Sequence, residues 1–323
     1  MNVMKPRCLI SAYLCAALSF FVTASAQVDS TGIKLIDQKK LDEARTFFEG
    51  KLKANPNDDE SEYQLARVFL FQGKMDDAED AIDEALDLNE KDARFHFLRG
   101  QVLGQIAANA NIFKQGILAP KVKNAFLRAV ELDSTLVEAH IGLYNYYIMA
   151  PGIMGGSDEK ALEQADIVLR LSSYRGHILL ANFHQQKDEF TAAEDEYKKA
   201  ISAEPKRTGG YKFLGYFYVS QKRYDEAVVQ FENYVALDPS NPDAYDSFGD
   251  ALLGQEKYDD AIEKYNAALL LDKTFSSSIY QLGACYEKKG MSAKAVETYQ
   301  WYLSVAPAGR FADSAKRKIK DLS

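Results

Sequence analysis

Asp243, Asp246 and Asp250 follow one another at spacings of three and four, which puts three carboxylates on one helical face. Such a stripe is either a solvated face or a patch for a basic partner segment. The other acid pairs, in "NDDESE", "MDDAED" and "YDDA", fall at expected helix starts, where capping and solvation account for them. None makes a general acid–base pair. The chain contains no HExxH, GxSxG, GxGxxG or CxxC arrangement. "PGIMGGS" lacks the order of a phosphate loop, and "GGSDEK" puts acids where an anion would sit. His177 and His184 share a helix face without an accompanying cysteine or carboxylate motif. No metal, no cofactor and no catalytic residue is expected, so the reading is a binding protein and not an enzyme.

The elements that must hold these residues repeat. "FTAAEDEYKKAISAEP" (190–205), "YDEAVVQFENYVALDP" (224–239) and "YDDAIEKYNAALLLDK" (258–273) recur every 34 residues. Each unit opens with apolar residues at spacings of three and four, one face of a helix. In three units these are Tyr211, Leu214 and Tyr218, then Tyr245, Phe248 and Leu252, then Ile279, Leu282 and Tyr286. A small residue within this pattern (Ala181, Gly215, Gly249, Gly283) marks a close helix–helix approach. Polar turns such as "SQKR" and "GQEK" follow, and then a second helix with acids in its first turn. Ala193, Ala227, Ala261 and Ala295 are its small contact points, and "LDPSNPD" ends the unit because proline cannot continue a helix. A lone hairpin of this kind cannot bury its apolar face, but stacked hairpins can.

These residues closely resemble the tetratricopeptide repeat (TPR), a 34-residue unit with an aromatic-x2-L-G-x2-Y, A-x3-F and Pro pattern. The resemblance implies an all-α, right-handed superhelical solenoid of about eight helix-turn-helix repeats. Repeats are expected near 25–58, 59–92, 93–136, 137–173, 174–207, 208–241, 242–275 and 276–309, with a capping helix over 310–323. In TPR proteins the first helices line a concave surface that takes up a peptide or protein segment. By that resemblance the lining here includes Arg175, Ile178, Asn182, Gln185, Lys212, Tyr216, Val219, Asp243, Asp246, Asp250, Leu253, Tyr280 and Glu287. The Lys and Asn pattern with which one TPR subfamily grips a C-terminal carboxylate is not reproduced. His96, His140 and His177 take a similar early place in successive first helices. Stacked repeats hold such positions about 10 Å apart, whereas metal ligands converge to about 2 Å.

Two adjacent repeats are too long. Gly100 and Phe126 are 26 residues apart where 16 are expected, and Tyr147 and Ala161 are 14 apart where 9 are expected. In the first, either Leu98 or Arg99 takes the inward place. Both insertions fall between the helices of their hairpins and should be neighbours, since equivalent turns align along one edge of a stack. Both are apolar for surface loops. They are expected either to pack on each other as a local cap or to form a pocket for a small ligand or solute. Phe113, Ile117, Pro151, Met154, Gly155 and Gly156 are the candidate pocket residues.

The chain has 323 residues and a net charge of -8, with no basic stripe, so no nucleic-acid partner is expected. "KRKIK" (316–320) is read as a solvated helix end. Residues 1–26 have the order of a secretory signal: Lys5 and Arg7, the apolar "CLISAYLCAALSFFV", then Ala24 and Ala26 before Gln27. Leu14 before Cys15 argues against a lipoprotein signal. Losing the two cations of this segment takes the net charge from -8 to -10 and leaves Cys285 as the one cysteine, so no internal disulfide. The mature domain, 27–323, is expected in the bacterial periplasm, or secreted, with no integral membrane span. Its expected partner is a protein or peptide.

Overall fold

The structure, a computed structural model, describes residues 30–323. The expected signal segment lies outside them. Among the described residues the chain forms 17 α-helices and one 3-10 turn, and no strand. The helices come in consecutive pairs. α1 (30–37) precedes α2 (Leu41–Ala54), α3 (Asp59–Gln72) precedes α4 (Met75–Leu88), and α5 (Ala93–Ala108) precedes α6 (Ile112–Leu132). α7 (Val137–Met149) and the 3-10 turn (Gly152–Met154) lead into α8 (Asp158–Leu171). Then come α9 (Ser173–Gln186) with α10 (Phe190–Ala203), and α11 (Thr208–Ser220) with α12 (Tyr224–Leu237). α13 (Pro242–Gly254) with α14 (Tyr258–Leu271), α15 (Ser276–Lys288) with α16 (Ser292–Val305), and a final α17 (Ala312–Leu322) complete the chain. Packing divides it into two compact units, one ending at Ile167 and one running from Val168 to Ser323.

The hairpins close because an aromatic ring of the second helix lies where the first helix has no side chain. A Cβ on Gly249 would stand 2.6 Å from Cε1 of Tyr265, which is fully buried. Gly215 takes the ring of Phe231 and Gly283 that of Tyr299 in the same way. The small alanines Ala193, Ala227, Ala261 and Ala295 are also fully buried. A missing Cβ lets a whole ring reach the neighbouring backbone, which is how a short hairpin attains interior packing density.

The turn inside each regular hairpin has a backbone requirement that its polar composition did not reveal. Lys39, Asp188, Lys222 and Glu256 adopt left-handed φ of 58–62°, and Gly73 and Gly290 occupy the equivalent place at 74° and 71°. A left-handed non-glycine residue costs about 1 kcal/mol. Four of these six turns therefore carry that cost. It is offset by hydrogen bonds that tie the turn to the first helix, such as Arg223 N–H to the Tyr218 carbonyl at 2.9 Å.

In the first unit Phe48, Ile82, Phe95 and Val102 are buried in one core. Leu98 takes the inward place and Arg99 pairs with Asp83 at 2.9 Å, which settles the register there. His140 connects α7 to α8 through Nδ1 and the Gln164 side chain at 2.8 Å. In the second unit the core is continuous along α9 to α17 in two clusters. α17 covers its end: Ala312 and Ala315 are buried, and Phe311 stacks on Tyr280 with ring centroids 4.3 Å apart. Within "KRKIK", Lys318 is not simply solvated, because its Nζ pairs with Glu287 at 2.6 Å.

The first insertion is not a loop. It extends the second helix of its hairpin, so that α6 runs for 21 residues with Pro120 inside it. Asn111 caps it by accepting from Lys114 N–H at 3.0 Å. Pro120 has no N–H to donate to Gly116 and is tolerated on the exposed side of the helix. The second insertion is the tight 3-10 turn. Gly155 stands at φ 93°, and a Cβ on Gly156 would overlap the Ala150 carbonyl, so both positions require glycine.

Candidate binding surface

The candidate groove residues belong to the first helices of the second unit, α9, α11, α13 and α15. Their polar side chains are joined from one repeat to the next. Lys212 of α11 pairs with Asp243 of α13 at 2.7 Å. Tyr216 of α11 reaches Ser247 at 3.0 Å and Asp250 at 3.2 Å, both on α13. From the other side, α15 donates Ser278 Oγ to Asp246 at 2.6 Å and Gln281 Nε2 to Asp250 at 3.1 Å. Tyr280 reaches Ser314 of α17 at 2.8 Å. Partners 31–34 residues apart are neighbours because one repeat period carries a side chain to the adjacent helix.

The aspartate stripe is therefore neither a solvated face nor an open acidic surface. Asp246 is only 4% exposed. Burial, and then the nearby Asp250 carboxylate, push its pKa up to about 7 despite the Ser278 hydroxyl. Asp250 is likewise raised by burial, although Tyr265 at 2.8 Å, Gln281 and Tyr216 all donate to it. The same burial, with Asp250 alongside, pushes the Tyr216 hydroxyl up, so the tyrosine stays a neutral donor. Asp243 is different, because it has a cation in Lys212 and a hydroxyl in Tyr234 at 2.8 Å. Burial would raise Glu287, but the Lys318 ammonium and the Tyr299 hydroxyl outweigh it and hold the carboxyl below its usual range. Of these four acids, two face a cation, whereas hydroxyls and one amide donate to Asp246 and Asp250.

The remaining groove candidates are more varied. Ile178 is 9% exposed and belongs to the core cluster around Tyr197 and Leu214, so it packs inward where a lining residue was expected. Asn182 is exposed and shares the Tyr197 hydroxyl with Gln185, at 2.7 and 2.8 Å. Arg175, Val219 and Leu253 are half-buried. Sequence reasoning missed Ser247, Ser278 and Gln281. The only signal for them is their place in the repeat, one period from Tyr216 and from the aspartates they meet.

The insertion residues lie in the first unit, and the two insertions do meet there. The Met154 methyl approaches to 3.8 Å from where a Cβ on Gly116 would sit, and the Tyr146 hydroxyl donates to the Met154 carbonyl. Phe113 is 82% exposed, and Ile117 and Pro151 are also exposed. Side chains placed this way present themselves to solvent and do not line an enclosed pocket. Each histidine has its own partner, among them His177 with Glu196 and His184 with Glu189, both at 2.6 Å. Among the described residues no three ligating side chains gather at a point. Cys285 is free and fully buried, and burial pushes its thiol up to about 12.

Models of the tetratricopeptide repeat match residues 35–102, 178–242 and 247–315, more than half of the chain. The chain belongs to the tetratricopeptide repeat family. Among solved structures it is similar to yeast Tom70, with a TM-score of 0.67 and 16% identity, covering 88% of this chain and 58% of that one. It is also similar to a chain of the APC/C hetero-tetramer Cut9–Hcn1, with a TM-score of 0.52 and 15% identity, covering 87% and 52%. This chain thus spans just over half the length of either, and at these identities the likeness is one of fold. No curated protein matches it. Proteins of this family are in general scaffolds that bind proteins or peptides. No helix among the described residues is long and apolar enough to cross a membrane.

Proposed function

We propose that this protein is an exported, non-catalytic scaffold that takes up a basic protein segment along α11, α13 and α15. One observation carries the reading: Asp246 and Asp250 are held at a repeat junction with hydroxyl and amide donors, while Asp243 on the same helix and Glu287 on α15 face cations. A buried carboxylate without a cation destabilises the fold that contains it. A lysine or arginine of a partner would supply the missing charge at Asp250, which is half-buried where Asp246 is enclosed, and the fixed donors around it would set the register of the bound segment. Export rests on the order of residues 1–26 and is tested by sequencing the N-terminus of the protein recovered from the periplasm, with Gln27 first as the expected result.

The binding test is fluorescence anisotropy with an array of extended peptides that differ in lysine and arginine content. Basic peptides should bind and weaken with salt. Asp250→Asn should remove most of that affinity and Asp246→Asn, at a carboxylate enclosed behind Ser278, less of it, while Asp313→Asn on the exposed start of α17 should leave it unchanged. Equal binding by all three variants would sink the assignment.

A further inference from the structure

We propose that the paired insertions of the first unit are a docking surface for an anionic lipid bilayer. The surface is made by the start of α6 and the 3-10 turn packed beside it. It presents Ile112, Phe113, Ile117, Met149 and Ile153, each at least 58% exposed, with Ile153 at 95%. Phe113 and Ile117 are one helical turn apart on α6, and Gly116 between them is where Met154 seats the turn. Large apolar side chains gathered at one place on a surface mark an interaction site.

Charge selects the occupant. The chain as a whole is acidic, yet residues 100–130 contain Lys114, Lys121, Lys123 and Arg128 and no aspartate or glutamate. Residues 139–157 contain no acid either, and the first to follow are Asp158 and Glu159, which open α8. Lys114 and Lys121 are exposed. The Lys123 ammonium lies 3.8 Å from where a Cβ on Gly155 would sit, at the turn itself. Exposed charges more than about 10 Å away are screened in physiological salt, so the charges beside the turn decide and not the net charge: Lys114, Lys121, Lys123 and Lys160 against Asp158 and Glu159. Apolar side chains within a rim of lysines match the interface of a membrane, where the rings and aliphatic groups enter the acyl boundary and the ammonium groups meet phosphates. The same pattern suits no free acidic solute, because the apolar side chains would remain in water.

The test uses the full protein, purified in the form the cell accumulates, and two kinds of vesicle. One kind is phosphatidylcholine alone; the other contains phosphatidylglycerol. Flotation measures binding, and hydrogen exchange of the intact chain locates it. The expected result is binding to the anionic vesicles with slowed exchange confined to residues 110–118 and 149–156. Lys114→Gln with Lys121→Gln should weaken binding by about fivefold per lysine. Phe113→Ser with Ile153→Ser, at positions too exposed to matter for folding, should abolish the local protection. Failure to bind anionic vesicles, binding without protection of those two segments, or unchanged binding by the Phe113→Ser, Ile153→Ser variant would overturn the proposal. The first of these outcomes would leave the patch to a protein partner.

Discussion

Replacing Asp246 by asparagine should stabilise the protein at pH 8 and do progressively less as the pH falls. Asp246 has a pKa of about 7 in the fold, against 3.8 for the ordinary carboxyl. An acid raised in this way is a cost to the folded state when ionised. The native chain binds more protons than the unfolded chain between those two values, so stability falls as pH rises through that window. The full penalty above pH 7 is about 4 kcal/mol, and about 2–3 kcal/mol of it develops between pH 5 and pH 8. Asparagine keeps an oxygen to accept from Ser278 and has no charge to bury. Its added N–H2 needs a partner, and leaving it without one costs about 1–3 kcal/mol. The expected net gain at pH 8 is therefore about 1–3 kcal/mol, declining to nothing or to a loss at pH 5. The assay is urea unfolding followed by far-UV circular dichroism at pH 5, 6, 7 and 8 for wild type and variant. The decisive quantity is how their difference changes with pH. Parallel stability curves would refute the reasoning, because they would mean that the Asp246 carboxylate is solvated or already faces a cation.

Gly249→Ala should destabilise the second unit by about 1–3 kcal/mol, because the new methyl meets the fully buried ring of Tyr265; the shift in urea midpoint measures it. Glu256→Gly should add about 1 kcal/mol by relieving a left-handed φ of 62°, again read from the urea midpoint, with the helical circular dichroism unchanged. Tyr146→Phe removes the donor to the Met154 carbonyl. It should cost about 1 kcal/mol and speed hydrogen exchange in residues 150–156 without affecting the second unit.

The repeat was legible because a fixed period imposes fixed residue types. A first helix that must admit a ring carries glycine or alanine at one offset, and the ring appears sixteen residues later, as with Gly215 and Phe231 or Gly249 and Tyr265. The insertions were legible as insertions, and as neighbours, but not in conformation. The spacing of Gly100 and Phe126 shows only that residues are added, whereas the cap at Asn111 and the apolar spacing through Leu118, Val122, Phe126 and Ala129 make them part of the second helix. The left-handed turn residues were hidden because Lys39, Asp188, Lys222 and Glu256 share no side-chain chemistry; only the backbone angle is common to them.

Local pattern therefore determined the helices, their pairing and the family, since amphipathic spacing and close approach act within one hairpin. Tertiary structure decided the state of the aspartates. In sequence they are three acids on one helix face, free to be solvated. Stacking brings Lys212 to one, Ser278 to another, and Tyr216 with Gln281 to the third. Whether a carboxylate meets a cation or only a hydroxyl depends on which side chain the adjacent repeat places beside it, and burial then fixes how much that difference costs.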